Sequence, residues 1–314
     1  MAIFNTGLVK VLDTGTGEWS GGRGVLGGGS GPVDSASAAT IEYITIASTG
    51  DTSDFGDLNQ PGAYKASCSD GSRGIWAGRE YDGAGNEIDY ITISTPSNSA
   101  DFGNLTRSTK RAAGVSDGKK GVFAGGFDGT SHQDTIDYIN IASTGDATDF
   151  GDLSTAISAL AGVSNGTRGI YGGGSDGSSS VDTIQYIVIA TTSNTTDFGD
   201  LTVARQYFSA TGSATRGVFG GGYDVVAGLM DTIDYITMDT TGDATDFGDL
   251  SVIRGMAGAV SNLTRGVFTG GYNSSWQLIN VMEYITIAST GDATDFGDLN
   301  WGGARHSPHG CSGD

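Results

Sequence analysis

The stretch from Ile285 to Leu299, ITIASTGDATDFGDL, returns almost unchanged elsewhere in the chain. Ile139 to Leu153 reads INIASTGDATDFGDL, and Ile44 to Leu58 reads ITIASTGDTSDFGDL. Three diverged copies keep the Asp-Phe-Gly, so its phenylalanine occurs six times at intervals of 47 to 49 residues, at Phe55, Phe102, Phe150, Phe198, Phe247 and Phe296. A period of about 50 residues is typical of propeller blades or of solenoid coils.

A second motif recurs with the same period. It consists of a basic residue, a glycine, an aliphatic and a bulky residue, and then small residues; its copies begin at Arg23, Arg73, Lys120, Arg168, Arg216 and Arg265. Six copies of each motif predict six structural units. We expect the six basic side chains to bond carbonyl groups or aspartates at the turns rather than to form a ring that holds a ligand.

Each unit is expected to contain four β-strands, as the fifth unit illustrates. Ser209 to Gly212 is a run of small residues that suits the crowded innermost strand around a central axis. Gly217 to Gly220 is short and apolar, as a buried strand is, and Thr232 to Met238 alternates apolar with polar residues. After a Thr-Gly-Asp turn, Thr245 to Leu250 forms the outer strand, with Phe247 as its packing residue. No segment has helical periodicity.

These units resemble the kelch repeat. The hallmarks of that repeat are a double glycine that closes the second strand, a tyrosine in the third strand and an aromatic residue beyond it. Gly221-Gly222, Tyr235 and Phe247 match, with Phe where kelch repeats usually have Trp, and the double glycine is degenerate only in the second unit, at Ala77-Gly78-Arg79. The resemblance implies an all-β, six-bladed β-propeller of four-stranded, kelch-like blades that binds partners through one face.

The two ends of the repeat region predict how the ring closes. The repeats open at the second strand, in residues 23 to 29, and end in residues 304 to 314, which correspond to an innermost strand. Joining Asp314 to Gly22 would place Arg23 five positions after Cys311, the spacing that Cys68 and Arg73 have within the chain. We therefore expect 304–314 to pair with 23–29, which removes exposed sheet edges.

The domain organisation follows from the repeat. Residues 23–314 are expected to form the propeller, and residues 1–22, which lie outside the repeat, form an N-terminal arm that attaches the propeller to a neighbouring subunit. The alternative for these residues is an extra edge strand or a frayed terminus.

Composition narrows the classes of partner and compartment. The chain has 54 glycines among 314 residues and a formal net charge of −20, from 16 basic and 36 acidic residues. This charge repels phosphate backbones and anionic lipid, so nucleic acid and membrane insertion are not expected. The two cysteines provide no disulfide framework, and Met1 to Asn5 lacks a basic region followed by an apolar run. We expect synthesis in a reducing cytoplasm.

The loops of a blade divide between two faces because successive strands alternate in direction. The turn before each basic residue and the turn between the third and fourth strands share one face and are nearly identical in every unit. The loops after the glycines share the other face with the connections into the innermost strands, and they vary. Loops on a rigid scaffold commonly carry recognition residues, and exposed aromatic side chains are typical anchors. The candidate binding residues on this variable face are Tyr81, Phe127, His132, Tyr223, Tyr272 and Trp276; tolerated loop variation is the alternative.

Two short motifs match enzyme fingerprints by letter only. Gly22 to Gly27 reads GRGVLG, but a dinucleotide site needs a strand before this motif and a helix after it, whereas here the motif itself is a strand. Asp-Phe-Gly occurs without the glycine loop, catalytic aspartate or paired lysine of a kinase. With three histidines and no visible catalytic constellation, we expect no enzyme activity.

Metal binding is the less favoured interpretation of the acidic and histidine residues, and no cofactor is predicted. Calcium takes six to eight oxygen ligands, and the repeated turn carboxylates would be its ligands, for example Asp146, Asp149 and Asp152. Alternation along a strand sends neighbouring side chains to opposite faces, which favours a turn-forming role instead. The transition-metal candidates are His306, His309 and Cys311, where alternation and Pro308 disfavour a common site.

The amino-acid sequence of the repeats, with IDYITIASTGDATDFGDL and TRGVFGGG, is similar to that of repeats in virion structural proteins of marine and cyanobacterial bacteriophages, which are often associated with tail fibres. This resemblance implies a virion component, made in the host cytoplasm, that decorates the particle or recognises the host through the variable loops. Its partners would be other virion proteins, further copies of this chain, or a glycan or protein of the host surface. A cellular kelch-type scaffold and a propeller enzyme such as a sugar oxidase or lyase are the alternatives.

Overall fold

The computed structural model describes residues 22–31, 39–80, 82–262, 264–300 and 305–313. Within these ranges the chain is all-β, without helices, and forms a six-bladed β-propeller of four-stranded antiparallel blades. The predicted fold class is therefore confirmed. In the same ranges no helix is long and apolar enough to cross a membrane. The proposed arm, apart from Gly22, lies outside the described residues.

The first four blades follow one another along the chain. Blade I contains β1 (Arg23–Gly27), β2 (Thr40–Thr45) and β3 (Ser53–Asp57). Blade II contains β4 (Ala66–Ser69), β5 (Arg73–Glu80), β6 (Ala84–Thr92) and β7 (Ala100–Thr109). Blade III contains β8 (Ala113–Ser116), β9 (Lys120–Ala124), β10 (Thr135–Asn140) and β11 (Thr148–Asp152). Blade IV contains β12 (Ala161–Ser164), β13 (Arg168–Ser175), β14 (Ser180–Val188) and β15 (Thr196–Asp200).

The remaining strands complete the ring. Blade V contains β16 (Ser209–Gly212), β17 (Arg216–Asp224), β18 (Gly228–Thr237) and β19 (Thr245–Asp249). A two-stranded ribbon pairs β20 (Arg254–Gly255) with β23 (Tyr272–Asn273), and between them blade VI begins with β21 (Gly258–Ser261) and β22 (Arg265–Thr269). Blade VI ends with β24 (Val281–Thr286) and β25 (Thr294–Asp298), and β26 (His309–Gly313) follows.

Strand β26 belongs to blade I, where it pairs antiparallel with β1. Arg23 lies opposite Gly313 and Gly27 opposite His309, and a further bridge joins Ser30 to His306. The innermost strands then contact one another around the axis in the order β26, β4, β8, β12, β16 and β21, and β21 contacts β26. The prediction that the two ends of the repeat region close the ring is confirmed.

Each blade packs its tyrosine against its phenylalanine. The two rings meet edge to face with centroids 5.8 to 6.2 Å apart in all six blades, the geometry that aromatic pairs prefer. The glycine five residues after each repeated basic residue is left-handed; Gly221, for example, has a φ of +67°, and a Cβ there would lie 2.6 Å from the Arg254 carbonyl oxygen. Gly78 keeps this conformation in the degenerate second unit, with a φ of +65°.

The repeated basic residues join neighbouring blades. Arg23 donates a hydrogen bond to the Ile93 carbonyl and Arg73 to the Ile141 carbonyl, each 2.8 Å long. The corresponding residues of the other four blades make the same contact: Lys120, Arg168, Arg216 and Arg265. Each cation also lies 4.4 to 5.0 Å from the ring of its own blade's tyrosine. The predicted carbonyl bonding is confirmed, and these six side chains are part of the framework.

A second set of polar contacts lies inside the blades, and the sequence patterns did not predict it. The residue before each blade tyrosine is buried: Glu42, Asp89, Asp137, Gln185, Asp234 and Glu283. The five acids pair with cations from the preceding chain segment: Arg305, Lys65, Arg107, Arg205 and Arg254, in the same blade order. In blade IV the acid is replaced by Gln185, and Ile157 takes the place that Arg205 has in blade V. Acid and cation are thus present together or absent together.

Candidate ligand-binding face

The crossovers into the innermost strands build a ring at the mouth of the axial channel on the variable face. One non-glycine residue in each crossover is left-handed, with φ between +51° and +62°: Tyr64, Arg111, Ala159, Tyr207, Met256 and Ser307. Five backbone hydrogen bonds link them, since each N–H from Arg111 to Ser307 donates to the carbonyl of the preceding member. Left-handed non-glycine residues cost about 1 kcal/mol or more each and cluster at functional sites.

This mouth ring repeats its backbone but not its side chains. Two tyrosines, an arginine, an alanine, a methionine and a serine occupy equivalent positions. A cavity of 50 Å³ lies among them, His309 and the residues that immediately precede strands β8, β12, β16 and β21. The propeller therefore holds a fixed backbone frame on which six side chains of five kinds surround one opening.

Three of the residues predicted from the sequence, Tyr223, Tyr272 and Trp276, form one aromatic group. The Trp276 ring lies 5.6 Å from Tyr223 and 5.9 Å from Tyr272, measured between centroids. Tyr272 stacks on His306 at 4.8 Å, and His306 lies 5.6 Å from Tyr64 of the mouth ring. The aromatic surface of blades V and VI thus continues to the channel mouth.

The other two described residues of the prediction approach the mouth from blade III. Phe127 and His132 lie 5.2 Å apart, and the Arg111 guanidinium lies 5.9 Å from the Phe127 ring. The Arg111 guanidinium also lies 5.1 Å from the Tyr64 ring and 5.5 Å from the Tyr207 ring. We call the resulting set the aromatic belt, and it consists of Tyr64, Phe127, His132, Tyr207, Tyr223, Tyr272, Trp276 and His306, linked across the mouth by Arg111.

The belt differs in exposure along its length. Trp276 is 53% exposed at a hairpin tip and is itself left-handed, with a φ of +54°. The other members are half-buried. Tyr81 lies outside the described residues, so its place relative to the belt stays a prediction. A strained, exposed tryptophan beside a half-buried aromatic surface is typical of a binding anchor.

The tyrosines at the mouth are neutral hydrogen-bonding groups. Burial and the neighbouring Tyr207 raise the pKa of Tyr64 to about 12, although Arg111 opposes the shift. Burial likewise raises the pKa of Tyr207. Both phenols therefore keep their protons at neutral pH, and each combines an apolar ring with a polar hydroxyl.

Below the mouth, the small residues of all six innermost strands line a narrow cavity of 90 Å³, which Lys65 and His309 also border. His309 Nε2 is buried and has no hydrogen-bond partner among the described residues. Burial, together with the charges of Lys65 and His306, lowers the pKa of His309 to about 3. Burial also lowers the pKa of His306, to about 4.

These two histidines predict loss of stability in acid. An unfolded histidine binds a proton below its ordinary pKa of 6.5, whereas folded His309 stays neutral until about pH 3. The unfolded state therefore binds more protons between these values, and stability falls as the pH falls through this window. At about 1.4 kcal/mol per pH unit, His309 alone accounts for about 3 kcal/mol between pH 6.5 and about pH 4.

The variant His309→Gln isolates this effect, because glutamine does not titrate. Urea unfolding of the variant and of the native sequence at pH 7 and at about pH 4 measures the difference. We expect the native sequence to lose about 3 kcal/mol more than the variant on acidification. Equal losses in the two proteins would show that His309 does not stay neutral in the fold.

The metal candidates are not brought together. Asp146 accepts a hydrogen bond from the Asn104 backbone N–H of the neighbouring blade at 2.9 Å, a turn-to-strand contact that recurs at the other blade junctions. Cys311 is buried in the core of blade I beside Val25, whereas His306 belongs to the belt. Among the described residues, no group of three or more histidine, cysteine or acidic side chains is arranged to hold a metal.

Sequence reasoning missed Tyr64, Arg111 and Tyr207 because it named binding candidates only in the hairpin loops, and it considered His306 only as a metal ligand. When the six units are aligned, the mouth-ring position recurs at intervals of 47 to 51 residues, and five kinds of side chain occupy it. Variation at a position whose backbone repeats is the pattern that points to recognition.

No protein-family model matches this chain, and a search of curated proteins found no match. The propeller architecture rests on the strands and their pairing alone. The kelch-like identity and the resemblance to bacteriophage proteins stay predictions.

Proposed function

We propose that this chain is a non-enzymatic recognition module of a bacteriophage particle, in which the propeller binds a glycan of the host surface through the aromatic belt. The observation that carries the proposal is the continuity of the belt, because aromatic centroids 4.8 to 6.0 Å apart lead from Trp276 at a hairpin tip to Tyr64 and Tyr207 at the channel mouth. Rigid aromatic rings with polar tips supply contact area at little conformational cost.

A glycan fits this surface better than a folded protein partner does. Sugar rings combine apolar faces with hydroxyl groups, and the belt combines apolar rings with phenol, imidazole and guanidinium groups. A stable protein interface needs about 800 Å² from each partner with a hydrophobic centre. Among the described residues, the exposed large apolar side chains are few, and Trp276 is the one that belongs to the belt.

Replacing Trp276 with asparagine tests the site. Asparagine tolerates the left-handed backbone, so we expect thermal stability to change by less than about 1 kcal/mol. Affinity for glycans on an array of host-type surface sugars should fall at least tenfold, because the exposed anchor is lost. Val226→Asn is the matched control: Val226 is 92% exposed at the tip of the neighbouring hairpin and lies outside the belt, so its variant should bind like the native sequence. Equal binding by the Trp276 variant would contradict the site, and capture of a host protein with no glycan would favour protein recognition instead.

The assignment to a bacteriophage particle rests on the resemblance of the repeat sequences to those of virion proteins, and it is tested separately. Mass spectrometry and cryo-electron microscopy of purified virions should find the chain as a stoichiometric component. Its absence from them would overturn this part of the proposal and favour a cellular kelch-type scaffold, for which pull-down should recover an intracellular partner. Elemental analysis of the purified protein tests the third alternative, a metal-dependent propeller enzyme.

A further inference from the structure

The basic residues of this acidic chain are nearly all used by the framework. Of its 16 lysines and arginines, six join neighbouring blades and five form the ion pairs inside the blades. Lys119 is exposed beside Lys120 at the turn face, and Lys10 lies outside the described residues. Three cations remain: Arg79, Lys110 and Arg111.

Two of these cations, Lys110 and Arg111, meet at Glu80 on the variable face, whereas Arg79 pairs with Glu87 inside blade II. Lys110 contacts Glu80, Arg111 Nη2 lies 3.5 Å from Glu80 Oε2, and Arg79 Nη2 lies 2.8 Å from Glu87 Oε1. Lys110 and Arg111 thus share one carboxylate beside the mouth. In a chain with a net charge of −20, two adjacent cations provide a favourable place for an anion to bind.

Arg111 is the cation best placed to meet a ligand. It is the one charged member of the mouth ring, and its side chain is 26% exposed. Its guanidinium lies against both the Tyr64 and the Tyr207 ring, and its buried Nε has no hydrogen-bond partner among the described residues. A guanidinium pre-positioned by adjacent rings loses little freedom on binding, and its planar fork matches a carboxylate in two parallel hydrogen bonds.

We propose that the ligand is an acidic glycan, whose carboxylate binds Arg111 at the channel mouth while neighbouring sugar rings lie on the aromatic belt. This inference rests on the proposed function and specifies its substrate class. The charge pattern carries it: a neutral sugar needs no cation, whereas the carboxylate of an acidic sugar is attracted to Arg111 and its neighbour Lys110 in a chain whose net charge otherwise repels anions.

The test uses an array of uronate- and sialate-containing glycans, each printed beside its carboxyl methyl ester. We expect the native protein to prefer the free acids at least tenfold. Arg111→Gln should remove that preference, and Arg111→Lys, which keeps the charge but not the planar fork, should retain part of it. Lys119→Gln removes the same charge from the opposite face and should bind like the native sequence.

The outcomes separate the inference from the proposed function. If esters and acids bind equally and Arg111→Gln has no effect, while Trp276→Asn still abolishes binding, the acidic ligand is wrong and glycan recognition stands. If no glycan binds, both are wrong. Thermal unfolding of each Arg111 variant confirms that it is folded, since the framework contacts of the six blades do not include this side chain.

Discussion

Replacing Arg205 with isoleucine is expected to lower the free energy of unfolding by about 3 to 5 kcal/mol, because it leaves a buried carboxylate without its cation. Both partners are fully buried, with Arg205 Nη2 lying 2.8 Å from Asp234 Oδ2. The same guanidinium donates to the Phe219 and Thr232 carbonyls of the blade that it enters. Its loss leaves the Asp234 carboxylate and these two carbonyl oxygens without this hydrogen-bond donor inside blade V.

Blade IV provides the control for this prediction. There Ile157 and Gln185 occupy the positions of Arg205 and Asp234, and Gln185 accepts hydrogen bonds from the Ser154 N–H and the Thr195 hydroxyl. The double variant Arg205→Ile with Asp234→Gln copies this neutral pair into blade V. Urea unfolding should place its stability within about 1.5 kcal/mol of the native sequence. A double variant as unstable as the single one would contradict a buried, uncompensated charge as the cause.

Deleting residues 305–314 is expected to have the largest effect, loss of the cooperative fold. Strand β26 supplies the innermost strand of blade I and also contacts β4 and β21 of the neighbouring blades. Without it, β1, which is buried along most of its length, presents an unpaired edge, and the inner ring is interrupted. Because a domain is stable by only about 5 to 15 kcal/mol, the loss of a whole inner strand removes most of that margin.

A circular permutant distinguishes closure from mere chain length. Gly313 lies opposite Arg23. The equivalent residues of blade II are Asp70 and Arg73, which are joined by a turn of two residues. Joining Asp314 to Gly22 and removing residues 1–21 therefore rebuilds that turn, and new termini between Val225 and Val226 open an exposed hairpin tip. We expect the permutant to unfold cooperatively, as monitored by tryptophan fluorescence. If the deletion variant unfolds as cooperatively as the permutant does, β26 is not what closes the ring.

The site was only partly predictable. The loops that follow the glycines vary visibly between units, so Phe127, Tyr223, Tyr272 and Trp276 stood out. Tyr64 and Tyr207 did not, because each lies in a crossover where neither alternation nor a motif marks it. They meet at a centroid distance of 6.0 Å although they are separated by more than 140 residues, which only ring closure brings about.

The repeat period, the four-strand pattern of each unit and the offset of the two ends were sufficient, taken alone, to predict a closed six-bladed propeller. Turn chemistry, alternation and small inner residues are local features that act within a few positions of each other, and the offset of the two ends follows from counting strands along the repeat. Tertiary structure alone decided which cation enters which blade. The cation has no fixed position in the repeat, because it follows the outer-strand leucine closely in one crossover, from Leu105 to Arg107, and at a greater distance in another, from Leu58 to Lys65. Tertiary structure also decided the ring of left-handed residues at the mouth, because six crossovers are held in that strained conformation by backbone hydrogen bonds to their neighbours.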